Sequence, residues 1–226
     1  MKTSIKLLLA ALGVVLVSIT ISIIVLRANW KPSQIKKEKV EKLALRDFDK
    51  IIVDGDVDIQ VYQKNNFETF VEGDSKMKGI SAVIDSNHAL HLYSKVKNNN
   101  LSVKIGLPKL IRLETHGNVN VQLNNFKTDS LALCLYDHSD LDATNNRISS
   151  LNVQASGESN LNVLFYKGKR IELRLQNQAL ANIQNLNGIL SGELNDSTHC
   201  VVENSKIDKL NLTVGPAANL NIVGSR

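Results

Sequence analysis

Two cysteines in 226 residues leave no material for a disulfide framework. Aromatic residues make up only 4% of the chain, so the stacking platforms on which single-stranded nucleic acids lie are missing. No stripe of Lys and Arg interleaved with aromatics replaces them, and nucleic acid is excluded as a partner. Enzyme signatures are absent as well. There is no glycine-rich phosphate loop, nucleophile elbow, Cys-x-x-Cys pair or pair of catalytic carboxylates at a defined spacing. The chain is therefore read as a non-enzyme that needs no cofactor.

What the chain does contain is a ruler. Segments begin at Ile111, Leu131, Leu151, Ile171, Leu190 and Leu210, a repeat of twenty residues with one of nineteen. Counting each first residue as zero, offsets zero, two, four, ten and twelve are apolar throughout, except at Thr115 and Gly192. Alternation of this kind puts every second side chain on one face, as in Leu131, Leu133 and Leu135 or Val119, Val121 and Leu123, so each repeat holds two short strands. Offset six carries Gly117, Asp137, Gly157, Asn177, Asp196 and Pro216, and all but the last tolerate the left-handed backbone of a bend. One repeat cannot bury its own apolar face, but repeats stacked about 4.8 Å apart merge their faces into one core. The expected fold is all-β, a right-handed β-helix-like solenoid. The two cysteines fit it as unpaired residues, with Cys134 outward at offset three and Cys200 inward at offset ten, three rungs away.

The N-terminal third reads differently. Residues 1–6 form a basic flank, and Leu7 to Leu26 is an uncharged run long enough for a bilayer core of about 30 Å. It exceeds the apolar region of a cleaved signal and no small-x-small site follows, so an uncleaved signal anchor is expected. The absence of Cys near its end excludes a lipid-modified N-terminus. Arg27, Lys31, Lys36, Lys37, Lys39 and Lys42 supply much of the net charge of +5 and, by the positive-inside rule, favour a cytoplasmic domain. Export is nevertheless the expectation, on the family resemblance below. Residues 27–47 are read as a charged tether, with room for one or two helical turns over Ser33 to Lys42.

From Phe48 the pattern turns to strands at Lys50 to Val53, Val57 to Tyr62, Phe67 to Val71, Ile80 to Ile84, Ala89 to Tyr93 and Leu101 to Ile105, separated by turns such as Asp54-Gly55 and Asn65-Asn66. Residues 48–110 lack the period and are expected to form an antiparallel sheet or irregular first rungs covering the start of the regular repeats, residues 111–226. Phe48-Asp49-Lys50-Ile51 leading to Gly55, then Val57 to Gln63, Phe70-Val71-Glu72-Gly73-Asp74, Leu90 to Tyr93 and Pro108-Lys109-Leu110-Ile111 resemble, in order and spacing, the putative auto-transporter adhesin head GIN domain family. Gly117 and Ser156-Gly157 stand where that family has its Gly-Ser-Gly turns, whereas Tyr136-Asp137-His138 and Asn177-Gln178 depart from them. The resemblance, over residues 48–226, implies an exported, solenoid-like domain without established catalysis.

The outward columns supply the candidate site. Offset nine holds Asn120, Asp140, Asn160 and Asn219, and offset eleven holds Gln122, Asp142, Asn162, Asn182 and Asn221, interrupted by Leu180, His199 and Val201. Such a ladder either hydrogen-bonds from rung to rung and stabilises the solenoid, or offers an amide-rich face to glycan hydroxyls or to a protein. His138 among Asp137, Asp140 and Asp142, and His116 near Glu114, occupy turn positions and are read as backbone-driven, not as metal ligands. The expected function is a membrane-anchored envelope module, adhesin-like, with its large domain periplasmic or extracellular and a protein partner or second copy on the C-terminal end of the solenoid. The alternatives are a permanent subunit of a membrane complex and a carbohydrate-active β-helix enzyme.

Overall fold

The computed structural model describes residues 39–73, 79–95, 101–164 and 167–224. They belong to one compact unit, Glu38–Arg226. The expected span Leu7 to Leu26 lies outside the described residues, and among the described residues no helix is long and apolar enough to cross a membrane.

Seventeen strands join in one sheet. In chain order they are β1 (Lys39–Leu43), β2 (Lys50–Gln63), β3 (Glu68–Gly73), β4 (Ile80–Ile84), β5 (Ala89–Ser94), β6 (Ser102–Leu107), β7 (Arg112–Asn124), β8 (Lys127–Leu135) and β9 (Asp140–Thr144). The series continues with β10 (Arg147–Ala155), β11 (Asn160–Leu164), β12 (Arg170–Leu175), β13 (Leu180–Gln184), β14 (Asn187–Leu194), β15 (His199–Glu203), β16 (Lys206–Val214) and β17 (Asn219–Val223). From β7 onward every pairing is parallel, and each strand lies over its counterpart one repeat away. The chain is an all-β solenoid.

The twenty-residue ruler sets the register. Leu131, Leu151, Ile171, Leu190 and Leu210 pair successively into one column, and the alignment holds across the nineteen-residue repeat, where Arg174 faces Glu193. Large and small side chains complement one another inside. In the second strand of each rung, Leu141 is followed by Ala143, whereas Ala181 is followed by Ile183, and all four are buried. Offset six turns as expected, with positive φ at Gly117, Asp137, Gly157, Asn177 and Asp196. Of the two exceptions to the apolar rule, Gly192 has a steric cause: at φ +130° its added Cβ would stand 1.8 Å from the Leu173 carbonyl oxygen.

Each rung has a third side that the periodicity alone did not expose. β8, β10, β14 and β16 start at offset sixteen of one repeat and run around a corner into the first strand of the next. That corner is built by Asn125, Asn145, Asn185 and Asn204, all at positive φ, for which Asn is suited. The residue after it is buried: Phe126, Asn146, Leu186 or Ser205. Buried Asn146 accepts from the Phe126 N–H at 2.8 Å and donates to the Leu123 carbonyl at 3.0 Å, and the Ser205 hydroxyl accepts from the Leu186 N–H at 3.0 Å. At this corner the buried polar side chains pair backbone groups that the bend leaves free.

The opening strands are both of the arrangements expected. β2 is a complete rung, in register with β7 from Lys50 opposite Arg112 to Tyr62 opposite Asn124, with Gly55 over Gly117. It is a single strand, not two, because Gly55 carries the bend at φ +111°. β5 and β6 form a parallel layer on the other side of β2, so the chain passes backward before resuming at β7. Antiparallel β3 and β4 then border that layer. β1 corrects the expectation of a helical tether, because Lys39–Leu43 is a strand antiparallel to β3. Its charged residues make a reluctant edge for further pairing.

At the other end, Leu210 and Val214 are 45% and 41% exposed, although their counterparts Leu190 and Leu194 are fully buried. The positions remain apolar, and only a covering rung is missing among the described residues.

Candidate binding face

The second strand of each rung places its odd-numbered offsets outward, and register then aligns them into columns. Asn120, Asp140, Asn160, Leu180, His199 and Asn219 stand opposite one another in turn, and so do Gln122, Asp142, Asn162, Asn182, Val201 and Asn221. All nine candidate residues therefore share one flat face. Two residues were missed, Asp58 and Gln60, which β2 adds to the two columns opposite Asn120 and Gln122. They lie 62 positions before their partners, outside the twenty-residue period, and only the pairing of β2 with β7 reveals them.

The rung-to-rung bonds run from amides to carboxylates. Asn120 Nδ2 donates to Asp58 Oδ1 at 2.7 Å, Asn162 Nδ2 to Asp142 Oδ1 at 2.9 Å, and in the adjoining column Asn118 Nδ2 to Asp56 Oδ1 at 3.2 Å. Each such bond consumes one amide donor of the ladder. Asp140 has its carboxyl pushed up from the ordinary value, by partial burial first and by the Asp142 charge second. Leu180, His199 and Val201 divide the face into an acid-and-amide patch toward β2 and a smaller patch at Asn219 and Asn221.

On the outer side of the first strand, the Arg112 guanidinium donates to Glu114 at 2.7 Å, Glu114 faces His116 Nε2 at 2.9 Å, and His116 stacks on Tyr136 at 4.8 Å. This group covers Cys134, which faces outward as expected. The thiol is on the outer face but only 4% exposed, beneath Arg112 and Tyr136, and both cysteines are free as expected. Burial pushes the Cys134 thiol up and holds Cys200 at about 12, so neither is a thiolate nucleophile. Burial also acts to raise Glu114, but hydrogen bonds from His116 and Arg112 with their charges outweigh it and hold the carboxyl below its ordinary range. His138 meets Glu158 at 3.2 Å. Among the described residues no group of three or more His, Cys, Asp and Glu converges on a metal position. Arg174 and Glu193 are adjacent in register, but Arg174 turns to Glu172 on its own strand at 2.9 Å.

Parallel rungs, a mixed opening sheet and a columnar polar face define a β-solenoid domain. The chain belongs to the putative auto-transporter adhesin head GIN domain family, whose model matches residues 47–221. Among solved structures, a putative adhesin from Bacteroides fragilis superposes with a TM-score of 0.62 at 14% identity, covering 83% of this chain and 97% of that one. One from Parabacteroides distasonis gives 0.58 at 19% identity, covering 83% and 94%. At such identities the likeness concerns the fold. A comparison with curated proteins finds no match.

Proposed function

We propose that the protein is a membrane-anchored, non-enzymatic binding module of the bacterial envelope, in which the solenoid presents its flat polar face to a glycan or protein outside the cytoplasm. The observation that carries this reading is the alignment of Asp58, Gln60, Asn120, Gln122, Asp140, Asp142, Asn160 and Asn162 into two unbroken columns. An ordered array of amide and carboxylate groups at rung spacing matches the donors and acceptors of a hydroxyl-rich ligand, and a rigid sheet holds it in place without ordering cost at binding. Kinship with adhesins and the apolar run Leu7 to Leu26 support display at a membrane. The test replaces Asn160, Asn162 and Asn182 with Ala in cells carrying the full chain. Loss of adhesion with an unchanged melting temperature supports the reading, and full adhesion refutes it. Release of the protein by carbonate extraction would remove the anchor from the proposal.

The exposed Leu210 and Val214 favour a second element: this end of the solenoid docks against another subunit, a second copy being the occupant proposed. A charge at Thr213 should disperse the assembly without unfolding the monomer. A wild-type chain that sediments as a monomer ends this part of the proposal.

A further inference from the structure

The third side of the rungs carries a column of a different character. Lys127 and Arg147 stand opposite each other at offset sixteen. Lys167 repeats the position one rung further on, its N–H bonding the Asn146 carbonyl as that of Arg147 bonds the Phe126 carbonyl. All three side chains are exposed and none forms an ion pair among the described residues. Two depressions of about 370 and 490 Å³ meet along them, sharing Lys127, Arg147 and Lys167 as lining. The larger also takes in Lys109, and its single carboxylate among the described residues is Asp129. The Gln63 side chain ties the upper end together, accepting from the Lys127 N–H at 2.8 Å and donating to the Pro108 carbonyl at 2.9 Å. Four cations against one carboxylate are therefore mounted on a fixed backbone along a concave surface.

We propose that this groove binds a single chain of an acidic polysaccharide, a polyuronate. Charge selects an anion, and the regular placing of one cation per rung selects a polymer with regularly repeated anions. In a polyuronate every ring carries one carboxylate, and a ring with its glycosidic oxygen is comparable in length with the rung spacing of about 4.8 Å. Arg147 offers the planar fork that fits a carboxylate, while Lys127 and Lys167 act as point charges on either side. Asn125 and Asn145 line the smaller depression, within reach of ring hydroxyls. Concavity argues against an anionic bilayer, whose flat surface cannot enter depressions. Among the described residues the groove offers nucleic acid no stacking platform, because Phe126 at the floor is buried. The groove lies on a different side of the rung from the amide-rich face, so the inference stands apart from the reading of that face.

The experiment uses the full-length chain in uncharged detergent micelles, passed over immobilised polygalacturonate and, in parallel, over its fully methyl-esterified form, which keeps the backbone but loses the charge. Retention on the acid polymer at low salt is expected, with none on the ester. Raising the ionic strength from about 0.01 to 0.15 M, which shortens the screening length from about 30 to about 8 Å, should weaken it sharply. The triple variant Lys127→Gln, Arg147→Gln, Lys167→Gln should bind about tenfold more weakly or worse, with an unchanged melting temperature. Asn160→Ala with Asn162→Ala, on the other face, should bind polygalacturonate as the wild type does, so failure of either reading is visible separately. Equal retention on the ester overturns the proposal, as does full binding by the triple variant. So does tighter binding to single-stranded DNA or to anionic phospholipid vesicles than to polygalacturonate.

Discussion

The column Leu131, Leu151, Ile171, Leu190, Leu210 offers the same residue type at two depths, which makes Leu→Ala at its middle and at its end a direct measure of what stacking contributes. Leu151 is 1% exposed, between Leu131 and Ile171, both fully buried. Its truncation removes apolar contact on both sides and leaves a cavity that parallel ladders on either flank keep from collapsing, so the loss should be about 3 kcal/mol. Leu210 is 45% exposed and stacks on Leu190 alone among the described residues, so the same change should cost about 1 kcal/mol. For a domain of this size each kcal/mol moves the melting temperature by about 2–4 °C, which predicts falls of about 9 and 3 °C. Thermal unfolding of the two variants, followed by circular dichroism, gives both numbers in one series. Leu151→Asp adds an unpaired buried charge costing several kcal/mol, comparable with the whole stability of about 5–15 kcal/mol, and should unfold the domain. Equal losses at the two depths would refute the stacking argument, and a Leu151→Asp variant that melts as the wild type does would refute the register.

Asn146→Ala strands the Phe126 N–H and the Leu123 carbonyl in the core and should destabilise by about 2–3 kcal/mol. Asn146→Ser should recover part of this in a urea titration, because Ser205 already serves the Leu186 N–H in the equivalent place. Asp140 has a folded-state carboxyl above its unfolded value, so its ionisation opposes folding: its stability contribution is complete below the unfolded carboxylate range and is lost as pH rises through the raised value. Asp140→Asn should therefore raise the melting temperature at pH 7 and leave it unchanged at pH 3, and a gain at pH 3 as large as at pH 7 would contradict the assignment.

The solenoid, its inward columns and its first bend were legible because a buried face imposes a period on every rung, and the same ruler put all nine polar candidates on one face. What escaped notice lies where that constraint is weak. β2 is a rung like the rest, but 62 residues separate it from β7, so no fixed period marks it and Asp58 and Gln60 went unseen. The third side places Thr128, Ile148, Gly188 and Ile207 at one inward offset, too mixed to read as a strand, though its outward Lys127, Arg147 and Lys167 were within reach of the ruler. β1 looked like a tether because its charges suit an exposed edge as well as a spacer. Outward contacts are set by competing neighbours, not by period. Arg174 had Glu172 and Glu193 within one rung and took the residue on its own strand, and Cys134 was hidden by Arg112 from the rung before.

The third side is also where the repeat changes length. Between β14 and β16 the register shifts at Gly188 and Ile189, so that Ile189 pairs with Lys209 and Asp208 is the extra residue. The first and second sides remain in register across the same step. They line the apolar columns, where a slip of one residue would turn every inward side chain outward. The length change falls where the inward positions are mixed, Gly188 and Thr128 alternating with Ile148 and Ile207. The division has a functional consequence. A side held strictly in register is flat and presents straight columns, which is what the polar face shows. A side free to vary is uneven, and the two depressions around Lys127, Arg147 and Lys167 lie there. One constraint, the burial of the other two sides, thus accounts for a planar polar surface and a concave basic one on the same rungs.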